Sequence, residues 1–215
     1  MTPVFEELLG HPGVEEICEL RSEFGLMAFH GGNLEKATDT IASRVADEAG
    51  ASLYAVLQPH DLRWHVPSTA VQPAASPRLA KFLDHVDVAV AVHGYGREGY
   101  WTSVLLGGAN RELARHIGTA LRGSIGPHGY TVLDDLDEIP AALRGVHPRN
   151  PVNLPPGKGV QMELPPRVRG TTPLSKPEHT EALIDGLVDA LLAWDSRKVG
   201  EGSASDEPTA RTSDP

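Results

Sequence analysis

Residues 24–35 have the sequence FGLMAFHGGNLE, and the rest of the chain is organised around them. The apolar run at 24–29 predicts a buried strand, the glycine pair after His30 predicts a turn, and residues 34–49 have the apolar spacing of a helix. We therefore expect His30 at the carboxyl end of a strand, with Glu35 close by. This polar pair is the first candidate for a functional site.

A second histidine repeats this arrangement. Residues 87–92, DVAVAV, form another apolar run, which His93 and Gly94 follow directly. In an open α/β sheet the carboxyl ends of parallel strands share one edge, where ligands bind. Two imidazoles and the Glu35 carboxylate would meet there, and they are the ligand set of a catalytic zinc with one position left for water. The alternative for Glu35 is that it complements the amino-terminal dipole of a helix.

The remaining apolar patterns predict one α/β domain. A strand at 52–57 follows the first helix, and this β-α-β unit implies a parallel pair with a right-handed crossover. Further strands are predicted at 14–20, 100–106, 130–133 and 160–164, and further helices at 78–84, from the Gly-Gly pair at 107–108 to about 122, and at 177–194. We expect residues 1–198 to form a domain with a central, mixed but mostly parallel sheet flanked by helices. The polar and acidic residues 199–215 are expected to be disordered.

Composition limits the classes of function. The chain has 215 residues, of which 40% are hydrophobic, so it is long enough for one substantial core. Its net charge of -10 argues against a nucleic-acid surface, because phosphates need a basic face. No stretch approaches the roughly 20 apolar residues of a membrane span, and the first residues lack the basic region of a signal peptide. We expect a cytoplasmic protein that binds neither nucleic acid nor membrane.

Five motifs occur in an order that is typical of one family. They are H-G-G-x-x-E at 30–35, H-G at 93–94, G-G at 107–108, N-x-x-N at 150–153 and G-V-Q-x-E-L at 159–164. In this order they resemble the poly-gamma-glutamate hydrolase family, which is known from phage and bacilli. The resemblance implies a zinc-carboxypeptidase-like fold, a Zn²⁺ cofactor, and hydrolysis of γ-glutamyl amide bonds in a peptide or poly-γ-glutamate-like substrate.

Glu163 is the predicted general base. Its strand at 160–164 alternates, so that Glu163 and Gln161 lie on the face opposite to the apolar side chains. The carboxypeptidases, which the family resembles, carry their base in a similar strand. A catalytic zinc lowers the pKa of bound water to about 7, and Glu163 would take a proton from that water and pass it to the leaving amine. If the strand lay at a sheet edge, Glu163 would instead face solvent.

The resemblance also suggests residues that bind substrate. His65, with Ser68 three residues later, matches a histidine of the family, which either binds substrate or holds its own loop. Asn110 and Arg111 resemble the Asn-Arg pair that binds a substrate carboxylate in carboxypeptidases. The alternative for this pair is a solvated helix start.

Three further residues complete the candidates. Asn150 and Asn153 either bond to the backbone of their loop or touch substrate, and Arg169 is suited to bidentate pairing with a carboxylate.

Together the residues favour a zinc-dependent amidohydrolase acting on γ-glutamyl bonds. One alternative is a deacylase or carboxypeptidase for a small N-acyl amino acid, and another is a metal-stabilised binding protein without turnover.

Overall fold

The structure, a computed structural model, describes residues 4–203, with side chains as far as Trp194. In this part of the chain, seven strands form one mixed sheet and five helices pack against it. The strands are β1 (Glu15–Glu19), β2 (Phe24–Gly32), β3 (Ser52–Gln58), β4 (Val88–Gly94), β5 (Ser103–Leu106), β6 (Thr131–Leu133) and β7 (Gly159–Leu164). The helices are α1 (Phe5–Leu9), α2 (Thr38–Ala49), α3 (Pro77–His85), α4 (Arg111–Ser124) and α5 (Pro177–Ser203). The predicted α/β class with a mixed sheet is confirmed.

The strand order of the sheet is β1-β3-β2-β4-β7-β5-β6. Strands β3, β2, β4 and β7 are parallel, as predicted for the first β-α-β unit, whereas β1 is antiparallel to β3 and β5 is antiparallel to β7. Strands β3 and β4 are added on opposite sides of β2, so the strand order reverses there. In sheets of this kind the ligand crevice lies at that reversal, outside the carboxyl ends of the strands.

Apolar residues are buried on both faces of the sheet. On one face Leu26 and Val90 pack with the apolar sides of α2, α4 and α5. On the other face Met27 and Ala91 pack with residues of α1 and α3. Because β2 and β4 are covered on both faces, their sequences are continuous apolar runs rather than alternating ones.

The connection after β2 differs from the prediction. Both glycines that were expected to form a turn belong to β2, and α2 begins at Thr38 instead of Leu34. Ala37 has a left-handed φ of 72°, which separates the turn before it from the helix. Glu35 lies in that turn, where its N–H donates to the His30 carbonyl oxygen at 3.0 Å. Glu35 is therefore outside the first helical turn, and the alternative role at the helix dipole is wrong.

The last helix is longer than predicted. It was expected to end at residue 194, but α5 continues to Ser203 and so includes the first residues of the segment expected to be disordered. The rest of that segment, residues 204–215, lies outside the described residues. Within the described chain, no helix combines the length and the apolar character needed to cross a membrane.

Gly32 is required where β2 passes β3. Its φ is 67°, and a Cβ at this position would collide with the carbonyl oxygen of Gln58. Gly50 has the same φ of 67°, but a Cβ there would meet no atom within 4 Å. We expect Gly50→Ala to cost about 1–2 kcal/mol for the left-handed conformation alone, and Gly32→Ala to lower the free energy of unfolding further. Urea denaturation of both variants measures this difference, and equal losses would show that the strands move apart to relieve the collision.

Candidate active site

His30, Glu35 and His93 converge at the carboxyl ends of β2 and β4. Nδ1 of His30 lies 2.9 Å from Oε1 of Glu35, and Nδ1 of His93 lies 3.2 Å from Oε2 of the same carboxylate. One ligand atom from each residue can be chosen so that all three lie within 4.8 Å of one another. The structure thus brings together the three side chains that the sequence suggested as metal ligands. We call them the histidine cluster.

A β-bulge aims His30 into the histidine cluster. By strict alternation His30 would share a face with Ala28, whereas His93 shares the opposite face with Ala91. The register of the β2–β3 pairing shifts between Ala28 and Gly31, and a bulge of this kind re-aims the side chain beside it. As a result, the ring centroids of His30 and His93 are 4.9 Å apart.

The hydrogen bonds of His30 call for a cation that is shared by its ring and Glu35. Nε2 of His30 lies 2.8 Å from the carbonyl oxygen of Val66, which can only accept, so Nε2 carries the hydrogen. In the neutral ring Nδ1 is then an acceptor, and it faces a carboxylate oxygen that is also an acceptor. Either a second proton or a metal ion must lie between them. Metal-binding histidines are commonly held at their other nitrogen by a backbone carbonyl, so these residues fit a metal ion.

Glu35 is held by the backbone and by the charge of the two rings. Its Oε2 accepts a hydrogen bond from the Gly94 N–H at 2.8 Å. Burial by itself raises the pKa of Glu35, but His93 and His30 outweigh burial, and the pKa lies well below its usual range. For His93, burial by itself lowers the pKa, but the charge of Glu35 outweighs burial, and the pKa of His93 is raised. The carboxylate is therefore ionised and available to a cation.

Glu163 lies beside the histidine cluster on the neighbouring strand. It is the register partner of His93, and paired residues of adjacent strands point to the same face of a sheet. Its side chain is buried and accepts a hydrogen bond from Nε2 of Gln161 at 2.8 Å. Burial raises the pKa of Glu163, and His93 partly opposes this. Because β7 lies between β4 and β5, the alternative of a solvent-facing residue on an edge strand is wrong.

The long loop between β3 and α3 supplies two groups next to the histidine cluster. One is the Val66 carbonyl that holds His30, and the other is the imidazole of His65, whose ring centroid lies 4.9 Å from that of His30. Burial, together with the charge of His30, lowers the pKa of His65. Together with Ser68 and Gln161, among others, His65 lines a cavity of about 380 Å³. His65 is thus placed between this cavity and the histidine cluster.

Arg169 is buried against the end of β4. It donates hydrogen bonds to the carbonyl oxygens of Leu164 at 3.1 Å and Lys36 at 2.6 Å. A Cβ at Gly94 would lie 2.6 Å from Cζ of Arg169, so glycine is needed there for the guanidinium to fit. Burial lowers the pKa of Arg169, and the charges of Glu35 and Glu163 oppose that effect. Arg169 therefore adds a positive charge near both carboxylates of the site.

The other predicted substrate-binding residues bond elsewhere. Asn110 accepts a hydrogen bond from the Leu113 N–H and so caps α4. The Arg111 guanidinium donates hydrogen bonds to three backbone carbonyls. The Asn153 amide donates to two backbone carbonyls. Asn150 donates to the side chain of Gln161 and to a carbonyl of its own loop. Within residues 4–194, none of these four side chains forms a hydrogen bond with the histidine cluster.

Metal-dependent hydrolases combine side chains that can bind a metal ion with a separate buried carboxylate beside them. The site has this arrangement, at the reversal point of an α/β sheet. The sequence profile of the family described as poly-gamma-glutamate hydrolase matches residues 6–177. The chain belongs to this family, whose members are hydrolases acting on γ-glutamyl amide bonds. The predicted resemblance is thereby confirmed. No curated protein matches the chain.

Solved structures with a similar fold include a bacteriophage poly-gamma-glutamate hydrolase. It is 23% identical, with 87% of this chain and 90% of that chain covered and a TM-score of 0.68. A zinc-free apo form of YNDL is 22% identical, with 87% of this chain and 95% of that chain covered and a TM-score of 0.68. These likenesses support the assignment of the fold.

Proposed function

We propose that the protein is a zinc-dependent hydrolase that cleaves γ-glutamyl amide bonds in peptides or poly-γ-glutamate. The observation that carries the proposal is that Nδ1 of His30 and Nδ1 of His93 both face the ionised carboxylate of Glu35. Three nitrogen and oxygen ligands with a further position open are the ligand set of catalytic zinc sites. Family membership supports the γ-glutamyl substrate, and the zinc-free form of YNDL supports the choice of metal.

Each residue of the site has a proposed role. His30, Glu35 and His93 hold the zinc ion, which when bound would polarise the scissile carbonyl and lower the pKa of a water molecule. Glu163 accepts a proton from the attacking water and delivers it to the leaving amine, so that the amide is cleaved to a carboxylate and an amine. Its position beside His93, in register across β4 and β7, supports this role.

His65 and Arg169 are the proposed substrate contacts. A γ-glutamyl substrate carries a free α-carboxylate near the scissile bond. A guanidinium can pair with such a group, and a neutral imidazole can donate one N–H to it. Arg169 supplies a local positive charge in a protein whose net charge is -10. His65 lies at the cavity next to the histidine cluster.

Chelation tests the proposed function. We expect amine release from a γ-linked glutamyl oligomer to fall by about 100-fold or more after dialysis against a chelator, and to return when Zn²⁺ is added. An α-linked glutamyl oligomer of the same length and a small N-acyl glutamate serve as controls. Full activity after verified metal removal would exclude metal dependence. Cleavage of the N-acyl amino acid alone would indicate a deacylase, and bound zinc without any release would indicate a binding protein.

A further inference from the structure

Asn150 and Gln161 form a hydrogen-bonded relay that ends on Glu163. Nδ2 of Asn150 donates to Oε1 of Gln161 at 2.6 Å, and Nε2 of Gln161 donates to Oε1 of Glu163 at 2.8 Å. The three side chains are only 2%, 6% and 5% exposed. Within residues 4–194, Gln161 is the one side chain that donates a hydrogen bond to the Glu163 carboxylate.

The hydrogen bonds of the relay can run in only one sense, from Asn150 to Gln161 to Glu163, because backbone contacts fix the orientation of the Asn150 amide. Its Nδ2 also donates to the Gly145 carbonyl oxygen at 3.1 Å, and its Oδ1 accepts from the Val152 N–H at 3.4 Å. These contacts fix which end of the Asn150 amide faces Gln161. Gln161 must then present its oxygen to Asn150 and its NH₂ group to Glu163. A reversed Gln161 would place its oxygen against the carboxylate, where two acceptors repel each other.

We propose that Gln161 is a positioning residue for the general base Glu163, and that Asn150 sets the orientation of Gln161. This inference rests on the proposed function, because it assumes that Glu163 transfers the proton. The hydrogen bond from Gln161 engages Oε1 and restrains rotation of the carboxylate, which leaves Oε2 free to accept the proton. A hydrogen bond to an ionised acceptor is about twice as strong as a neutral one, so the restraint is effective in a buried site.

Direct contact with substrate is the competing role for Gln161. Gln161 and Asn150 both line the cavity of about 380 Å³ that His65 borders. The amide oxygen of Gln161 is already engaged by Asn150, and its NH₂ group is engaged by Glu163. A residue that positions the base acts on kcat, whereas a residue that binds the ground state of the substrate acts on KM. The two roles are therefore separable by kinetics.

The test uses Gln161→Met, which keeps the length of the side chain and removes both hydrogen bonds. With the zinc-loaded protein and a γ-linked glutamyl oligomer, we expect kcat to fall by about 10- to 100-fold, with KM within about twofold and zinc content unchanged. Gln72→Met is the matched control, because Gln72 donates to backbone carbonyls only, and it should alter the melting temperature without this loss of kcat.

Asn150→Asp provides a second variant of nearly unchanged shape. The new carboxylate can only accept, so Gln161 would turn its NH₂ group towards it and its oxygen towards Glu163. We expect a loss of kcat similar to that of Gln161→Met. If this variant does not fold, Gln161→Met alone still decides the question.

Combining Gln161→Met with Glu163→Gln tests whether Gln161 acts through Glu163 or independently of it. We expect Gln161→Met to cause no additional loss of kcat in the Glu163→Gln background, measured by single-turnover release. An equal loss in both backgrounds, a rise in KM alone, or an unchanged kcat would overturn the relay. An inactive wild-type protein would overturn the proposed function and this inference with it, whereas an active wild type with unaffected relay variants would overturn the relay only.

Discussion

Replacement of Glu163 by glutamine is expected to lower kcat for a γ-linked glutamyl oligomer by about 10²- to 10⁴-fold. The amide has nearly the shape of the carboxylate, but it cannot take a proton from the attacking water. Because Glu163 lies beside the histidine cluster rather than within it, zinc content should stay at the wild-type level. Steady-state kinetics and metal analysis of the same preparation measure both quantities.

Glu15→Gln is the control for this variant. Glu15 is an exposed residue on the edge strand β1, so the same change of charge there should leave kcat unaltered. A Glu163→Gln variant with most of its activity would show that another group is the base. A variant that loses its zinc would show that Glu163 is a ligand.

Much of this site was predictable because its side chains follow long apolar runs. Strands β2 and β4 are buried on both faces, so their sequences stand out, and each reaches its histidine before ending in Gly. The rule that parallel strands share a carboxyl edge then placed His30 and His93 together. The alternation of β7 separated Glu163 from the apolar face, and the resemblance to the carboxypeptidases then suggested Glu163 as the base.

The rest of the site depends on contacts between segments that are distant in sequence. No local sequence pattern indicates that β7 is inserted between β4 and β5, although this position is what buries Glu163. The Val66 carbonyl that holds His30 is a backbone group, so residue type does not reveal it. The relay from Asn150 to Gln161 joins residues eleven positions apart through side chains, and the sequence indicated a loop-orienting or substrate-binding role for Asn150 instead.

The late start of α2 has a local cause that the apolar spacing did not reveal. The spacing continues back to Leu34, but the turn that brings Glu35 to His30 ends in the left-handed residue Ala37. A helix beginning at Leu34 would have carried Glu35 in its first turn, whereas the turn places its carboxylate against the two histidine rings. The five-residue separation of His30 and Glu35 is thus spanned by a strand end and a turn.

Glu35→Gln is expected to reduce the affinity for zinc by more than about 100-fold, since removing groups that only orient a ligand already costs 10- to 100-fold. The two anionic oxygens of Glu35 face Nδ1 of both histidine rings, and one of them also accepts the hydrogen bond from the Gly94 N–H. An amide has one oxygen and no charge, so it cannot meet all three groups. Zinc titration followed by metal analysis measures the affinity, and amine release should fall in parallel.

Added zinc distinguishes Glu35→Gln from Glu163→Gln. A weakened metal site refills at high zinc concentration, so excess Zn²⁺ should restore part of the activity of Glu35→Gln. The loss in Glu163→Gln is a loss of proton transfer at a filled site, and excess zinc should not change it. Recovery of both variants would place Glu163 among the ligands. If Glu35→Gln bound zinc like the wild type, the two histidines would need a different third partner, and the proposed metal site would be wrong.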